Sequence, residues 1–235
     1  MKNIINEFPA TDLHGGQLFA IDNFLNPNDL TGKDVLDIGC GFGWFEQHAL
    51  KRDVKKIIAM DHTDEDLRTI RKFILDQRVD FSVGSAIALP FPDNSFDTIV
   101  TWEVLEHIPR QTEVQMFREM NRVLRPGGRI YLSTPHHSLI TNLLDPAYLL
   151  IGHRHYKPQM IAKFAKEAHL TVENMTVKGG FLDSIFVLNL YIAKWIFRRR
   201  PFFEDFFNQS ADRRYTSSKN GTFQLFAALR SAREV

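Results

Sequence analysis

Residues 35–43 read Val35-Leu36-Asp37-Ile38-Gly39-Cys40-Gly41-Phe42-Gly43. Val35, Leu36 and Ile38 make a short apolar run, the pattern of a strand covered on both faces, which we place at 33–39. It leads directly into glycines at alternate positions. Glycine lets the chain turn through positive φ and lets a ligand approach the backbone with no Cβ in the way. A helix is predicted at 44–51, and its first N–H groups have no partner inside the helix. The spacing is G-x-G-x-G; the dinucleotide fingerprint needs G-x-G-x-x-G, and here Trp44 stands where its third glycine belongs. Such a loop suits a ligand with an amino-acid tail better than a pyrophosphate.

Further apolar strands are predicted at 57–60, 79–83, 96–101, 129–133, 172–177 and 222–229. Helical spacing is predicted at 64–76, through Leu67, Ile70, Ile74 and Leu75, and at 113–124. Arg125-Pro126-Gly127-Gly128 reads as a turn into the fifth strand. Strands alternating with helices imply an α/β fold with a mostly parallel sheet and helices on both faces. The second strand ends at Asp61, 24 residues after Asp37, where a carboxylate can accept both hydroxyls of a ribose. The structural alternative is that Asp61 caps the helix starting near Asp64.

The 235 residues carry 29 basic and 28 acidic side chains, for a net charge of +1, which argues against a dedicated nucleic-acid binder. One cysteine, Cys40, excludes an intramolecular disulfide and a multi-cysteine zinc site. A reducing, cytoplasmic compartment is expected. Residues 1–12 lack the basic flank and apolar core of a secretory signal, and no run of ~18 apolar residues predicts a transmembrane helix. Residues 181–197 are strongly apolar and aromatic and end in Arg198-Arg199-Arg200. One reading is a membrane-surface helix with a basic anchor. The other is a helix buried against the sheet, in a dimer interface or over a substrate pocket. Asp183, Asn189 and Lys194 define no clean polar face, which favours the second.

Three further segments carry a resemblance. These are Gly84-Ser85-Ala86-Ile87-Ala88-Leu89-Pro90 and on to Asp97, Trp102-Glu103-Val104-Leu105-Glu106-His107-Ile108, and Leu124-Arg125-Pro126-Gly127-Gly128. With the glycine loop they resemble class I S-adenosylmethionine-dependent methyltransferases, in register over about 32–135. The resemblance implies one domain over 1–235 with a seven-stranded Rossmann-like sheet, an antiparallel last strand and a helical insert at about 181–220 before it. It implies S-adenosylmethionine as cofactor, with contacts from Asp37, Gly39, Cys40, Gly41, Gly43, Asp61, His62, Ser85, Ala86 and Trp102. Ser85 departs from the acidic residue common at that position.

Glu103, Glu106 and His107 have i, i+3, i+4 spacing, so in a helical turn they share a face. With a fourth ligand from His153 or His155 they form a candidate site for Mg²⁺, Mn²⁺ or Zn²⁺. The arrangement is similar to metal-dependent relatives with an E-V-x-E-H motif, among them small-RNA 3′-end and ubiquinone-pathway O-methyltransferases. Without metal, Glu106 and His107 organise the loop or bind substrate. His107 and Glu103 are the candidate catalytic residues for activating a hydroxyl. His136 and His137 fall on the same sheet edge with no assigned role. The expected activity is O-methylation of a small-molecule or lipid-linked hydroxyl, with peripheral membrane contact compatible. An RNA 3′-end activity and a non-catalytic cofactor-binding module are the alternatives.

Overall fold

The computed structural model describes residues 12–150, 152–217 and 220–233. Seven strands form one sheet in the order β3-β2-β1-β4-β5-β7-β6. They are β1 (Asp34–Ile38), β2 (Lys56–Asp61), β3 (Val79–Val83), β4 (Phe96–Trp102), β5 (Leu124–Pro135), β6 (Leu170–Lys178) and β7 (Gln224–Ser231). The first five run parallel, and β7 lies antiparallel between β5 and β6. The expected seven strands and antiparallel last strand are both present.

The two-residue period of a strand divides the core into two layers. Val35, Ile57, Val100, Tyr131 and Phe226 face one side. There they meet α1 (Gly15–Phe19), α2 (Trp44–Ala49) and α3 (Asp64–Phe73) through Phe19, Phe45 and Leu67. Their neighbours Leu36, Ile99, Ile130 and Leu225 face the other side and meet α4 (Glu113–Val123) and α7 (Pro158–Glu167) through Phe117 and Ile161. Two apolar faces explain why the central strands read as unbroken apolar runs.

Three features differ from expectation. Helix α3 stops at Phe73 instead of continuing to 76, because Ile74 is extended (φ −102°, ψ 102°) and Asp76 accepts the Arg78 N–H in a tight turn. The Arg-Pro-Gly-Gly segment is absorbed into β5, with a register shift against Phe96 and Thr98 and Gly127 at φ 76°. The insert is helical, as α8 (Phe181–Trp195) and α9 (Glu204–Ser217), but α8 is not a core helix: of its residues only Asp183, Ser184 and Ala193 are buried. Its polar interruptions are internal fasteners. Asp183 accepts the Gly180 N–H at 2.7 Å and a two-pronged pair from Arg214 of α9 at 3.0 and 2.7 Å. Two short helices, α5 (Leu139–Leu144) and α6 (Pro146–Leu150), follow β5.

From β1 the chain adds β2 and β3 on one side, then returns to lay β4 on the other. That reversal leaves a crevice beyond the carboxyl ends of β1 and β4, the position where open α/β sheets bind ligands.

Candidate active site

The glycine loop closes the carboxyl end of β1. Gly39 and Cys40 donate their N–H groups to the Met60 carbonyl at 2.8 and 3.1 Å, tying the loop to β2. Gly39, Gly41 and Gly43 have φ of 79°, 53° and 81°. A Cβ on Gly39 would lie 2.3 Å from Val104 Cγ2, and one on Gly43 2.7 Å from Ile70 Cδ1. One on Gly41 would meet nothing within 4 Å. Packing therefore excludes side chains at the outer glycines, while the middle one opens on free space.

Asp61 Oδ2 accepts the Gly41 N–H at 3.0 Å, and Oδ1 accepts the His62 N–H at 2.7 Å. Burial raises its carboxyl from the ordinary value. The cap of α3 is Thr63, whose hydroxyl accepts the Asp66 N–H, so Asp61 is left to the loop and crevice. The His62 side chain is exposed. Gly84 N–H donates to the Asp61 carbonyl at 3.0 Å, which brings Ser85 and Ala86 alongside; the Ser85 hydroxyl takes the Ile87 N–H within its own turn. The Cys40 side chain is buried in the core, where burial and nearby Glu46 push the thiol up, so its backbone is the part that borders the crevice-side loop. The Trp102 ring is likewise buried, with centroids 6.0 Å from Trp44 and 6.4 Å from Phe45.

Beneath the loop lie two fully buried acids, Asp37 and Glu46. Their carboxyl groups face each other, and Asp37 Oδ1 and both Glu46 oxygens have no further partner. Burial, then the charge of Glu46, raises Asp37 well above the usual carboxylate range. Burial pushes Glu46 up to about 7. Thr101 Oγ1 and Trp102 Nε1, at the end of β4, are also buried without partners. Sequence reading passed over Glu46 because an acid in a first helical turn looks like an ordinary partner of the helix dipole.

Residues 103–107 correct the expected helical turn. Glu103 sits at φ 56°, a left-handed conformation unusual for a side chain with Cβ, and the segment is a loop with one internal bond, His107 N–H to the Val104 carbonyl at 2.9 Å. Glu103 Oε1 accepts from Ser133 at 2.6 Å and from Gln224 at 2.7 Å. Glu106 Oε2 accepts from Thr134 at 2.9 Å, while Oε1 is buried with no partner. Burial raises both carboxyls, and Glu103 raises Glu106 further. Arg154 clamps the loop, donating to the Leu105 and Ile108 carbonyls and pairing with Glu113 at 2.6 Å.

The loop meets the histidines beyond β5. His107 Nε2 and His153 Nε2 are 3.3 Å apart. His153 Nδ1 lies 3.3 Å, and His155 Nε2 2.9 Å, from Asp145 Oδ2, and His155 Nδ1 lies 2.8 Å from Asn142 Oδ1. Among the described residues, Glu106, His107 and His153 bring one donor atom each within 4.8 Å, as do Asp145, His153 and His155. The expected five-residue set is thus redistributed. Glu103 turns to Ser133 and Gln224, and His155 lies behind Asp145. Burial, His153 and Arg154 lower His107 to about 4, leaving it neutral. Burial opposes ionisation of Asp145, yet hydrogen bonds from His153 and His155 hold its carboxyl below the usual range. With Nδ1 of His153 directed at Asp145, its Nε2 faces His107, and the Glu106 carboxylate lies within reach of both histidines. One oxygen and two nitrogen donors, with a carboxylate behind one histidine, fit a divalent ion. Of the histidines after β5, His136 Nδ1 lies 3.2 Å from the Thr222 carbonyl and His137 Nε2 3.2 Å from Asn142 Nδ2. A cavity of about 400 Å³ beside the cluster is lined by His137, Tyr148, His153, Tyr156 and Met160. Asp145 carried no signal in the sequence beyond that of a residue before a helix-opening proline.

Residues 35–128 match a family model described as a methyltransferase domain. The chain is 39% identical over 105 residues to a probable S-adenosylmethionine-dependent methyltransferase of Mycolicibacterium smegmatis, covering 44% of this chain and 38% of that protein. It is 29% identical over 182 residues to a ubiquinone biosynthesis O-methyltransferase of Xanthomonas oryzae, covering 72% and 75%. In fold it is similar to an S-adenosylmethionine-dependent methyltransferase structure from Mesorhizobium loti, with TM-score 0.63 and 17% identity over 92% of this chain and 98% of that one.

Proposed function

The chain belongs to the class I S-adenosylmethionine-dependent methyltransferases, and on that premise we propose that it methylates a hydroxyl oxygen of a small-molecule or lipid-linked acceptor. The observation that supports this reading is the meeting of Glu106, His107 and His153, the first two on the segment that packs against the glycine loop through Val104. Val104, inside the E-V-L-E-H loop, already packs against Gly39. Similarity to the Xanthomonas ubiquinone biosynthesis O-methyltransferase also favours a hydroxyl acceptor.

When bound, S-adenosylmethionine supplies a methyl group on a sulfonium, for a displacement that mainly needs alignment and exclusion of water. The open space at Gly41 would take the cofactor's amino-acid tail, and Asp61, which borders the same loop, would accept the ribose hydroxyls. Asp37 and Glu46, buried beneath the glycine loop, would supply negative charge under a cofactor ammonium group. A Mg²⁺, Mn²⁺ or Zn²⁺ ion held by Glu106, His107 and His153 would act as a Lewis acid toward the acceptor hydroxyl. Neutral His107 offers its lone pair either to that ion or directly to the hydroxyl proton. Asp145 positions His153, and Arg154 holds the loop that carries Glu106 and His107.

The test is transfer of labelled methyl to phenolic acceptors with and without an isoprenoid tail, before and after chelation, with S-adenosylhomocysteine binding measured separately. Chelator-sensitive methylation of oxygen is expected, lost in His153→Ala while cofactor affinity is kept. Transfer to nitrogen or carbon acceptors alone would overturn the hydroxyl assignment. Activity indifferent to chelator and to His153→Ala would remove the ion.

A further inference from the structure

Much of the chain's strongly exposed apolar surface lies in one layer of helices. Leu143 of α5 and Leu150 of α6 are 66% and 69% exposed. Ile196 and Phe197, just past α8, are 69% and 57% exposed, and Phe203 and Phe206, around the start of α9, are 80% and 60%. Helix α5 packs on both α6 and α8, and α8 packs on α9, so the helices that carry or flank these side chains form one packed layer. Single exposed apolar residues are ordinary, whereas a cluster of large ones marks an interaction surface.

The tip of this layer is held in shape. Asn189 of α8 donates Nδ2–H to the Phe202 carbonyl at 2.7 Å and accepts the Phe202 N–H at 3.2 Å. Arg198 and Phe203 adopt positive φ, 50° and 54°, and the Arg199 guanidinium lies 4.4 Å from the centre of the Phe202 ring. The 196–203 loop is therefore built to hold Ile196, Phe197 and Phe203 in solvent. Arg198, Arg199 and Arg200, all exposed, stand between them. Glu204 and Asp205 follow in the first turn of α9 and still leave the tip net positive.

Three adjacent cations set among exposed aromatic and aliphatic side chains match an anionic phospholipid surface on both counts. The apolar groups enter the boundary between headgroups and acyl chains, and the arginines meet lipid phosphates. A buried contact with a second copy of this chain would instead bring the same three cations under apolar cover. Among the described residues no helix is long and apolar enough to cross a membrane, so the contact lies in the plane of the surface. We propose that α5, α6, the 196–203 loop and the start of α9 form a docking face for anionic phospholipid membranes. Helix α5 links this face to the candidate active site, because Asn142 on it contacts His155 at 2.8 Å while Leu143 points to solvent. Resting on the proposed function, this adds a source for the acceptor: a hydroxyl compound dissolved in the bilayer.

The experiment is sedimentation of the full chain with phosphatidylcholine vesicles and with vesicles also containing phosphatidylglycerol. Binding at least about tenfold stronger to the anionic vesicles is expected, weakened by high salt. The double change Phe197→Ser with Phe203→Ser, and the triple change of Arg198, Arg199 and Arg200 to Gln, should each lower that binding about tenfold or more. Thermal unfolding should be unchanged, because all five positions are exposed. Affinity for S-adenosylhomocysteine, measured in parallel, tests the methyltransferase reading independently and should be the same in all three proteins. Equal vesicle binding by wild type and both variants, or none by wild type, would overturn the proposal. So would a dimer in light scattering that the phenylalanine changes dissolve, since that assigns the face to a second copy.

Discussion

Glu46→Gln should make the folded protein more stable at alkaline pH and leave it unchanged in acid. Glu46 is fully buried, and burial outweighs the hydrogen bonds it makes with the backbone and with Asp37, so its proton is retained up to about pH 7 instead of the ordinary 4.5. Below pH 4.5 the folded and unfolded chains both hold the proton, and the side chain imposes no penalty. Between 4.5 and about 7 the unfolded chain releases it while the folded chain keeps it, so stability falls as pH rises. Above that range both forms are ionised and the full difference, about 3 kcal/mol, weighs against the fold. Glutamine has the same shape, carries no charge, and can donate its amide N–H to Asp37. The variant should therefore gain up to about 3 kcal/mol above neutrality, fading to nothing in acid; Asp37, still buried, retains part of the penalty. Urea denaturation of both proteins across this pH range gives the comparison directly, provided the dependence on urea is the same for each. A variant no more stable than wild type at alkaline pH, or two parallel pH profiles, would refute the reasoning and mean that Glu46 has a cationic or donor partner when ionised. The same proton should appear in binding. In buffers of different ionisation heat, S-adenosylhomocysteine should displace a proton from the wild type near neutrality and none from the variant.

Asp61→Ala should weaken S-adenosylhomocysteine binding by about 1–3 kcal/mol, because ribose hydroxyls lose their acceptor in a confined site; equal affinity by calorimetry would move the ribose contact elsewhere. The glycines should separate by role. Gly39→Ala should unfold at markedly lower urea, since its methyl group would press on Val104 at φ 79°. Gly41→Ala should bear only the strain of its positive φ, roughly 1–2 kcal/mol, yet lose cofactor affinity. Normal cofactor binding by Gly41→Ala would show that the open space above that glycine is not where the ligand lies.

The sheet was legible in the sequence because strands buried on both faces must be apolar throughout, as Val35-Leu36 and Ile99-Val100 are. The glycine loop was legible for a related reason: few residues tolerate its backbone angles, so Gly39, Gly41 and Gly43 announce the turn themselves. The carboxylates and imidazole of the E-V-L-E-H segment were visible as a group, but not their roles. A spacing of three and four is shared by a helix and by the loop that forms here, and only the left-handed Glu103 sends one carboxylate to Ser133 and Gln224 and the other toward His153. Asp145, Asn142 and Arg154 gain their meaning from contacts across the fold, which local pattern does not encode. Glu46 became a strained acid only when α2 packed it over Asp37, since desolvation belongs to the folded environment and not to the residue. Helix α8 shows the same limit. Its apolar residues are suited equally to a core and to an outer face, and tertiary packing, by covering Asp183 and Ser184 and leaving Phe197 beyond its end in solvent, decided between them.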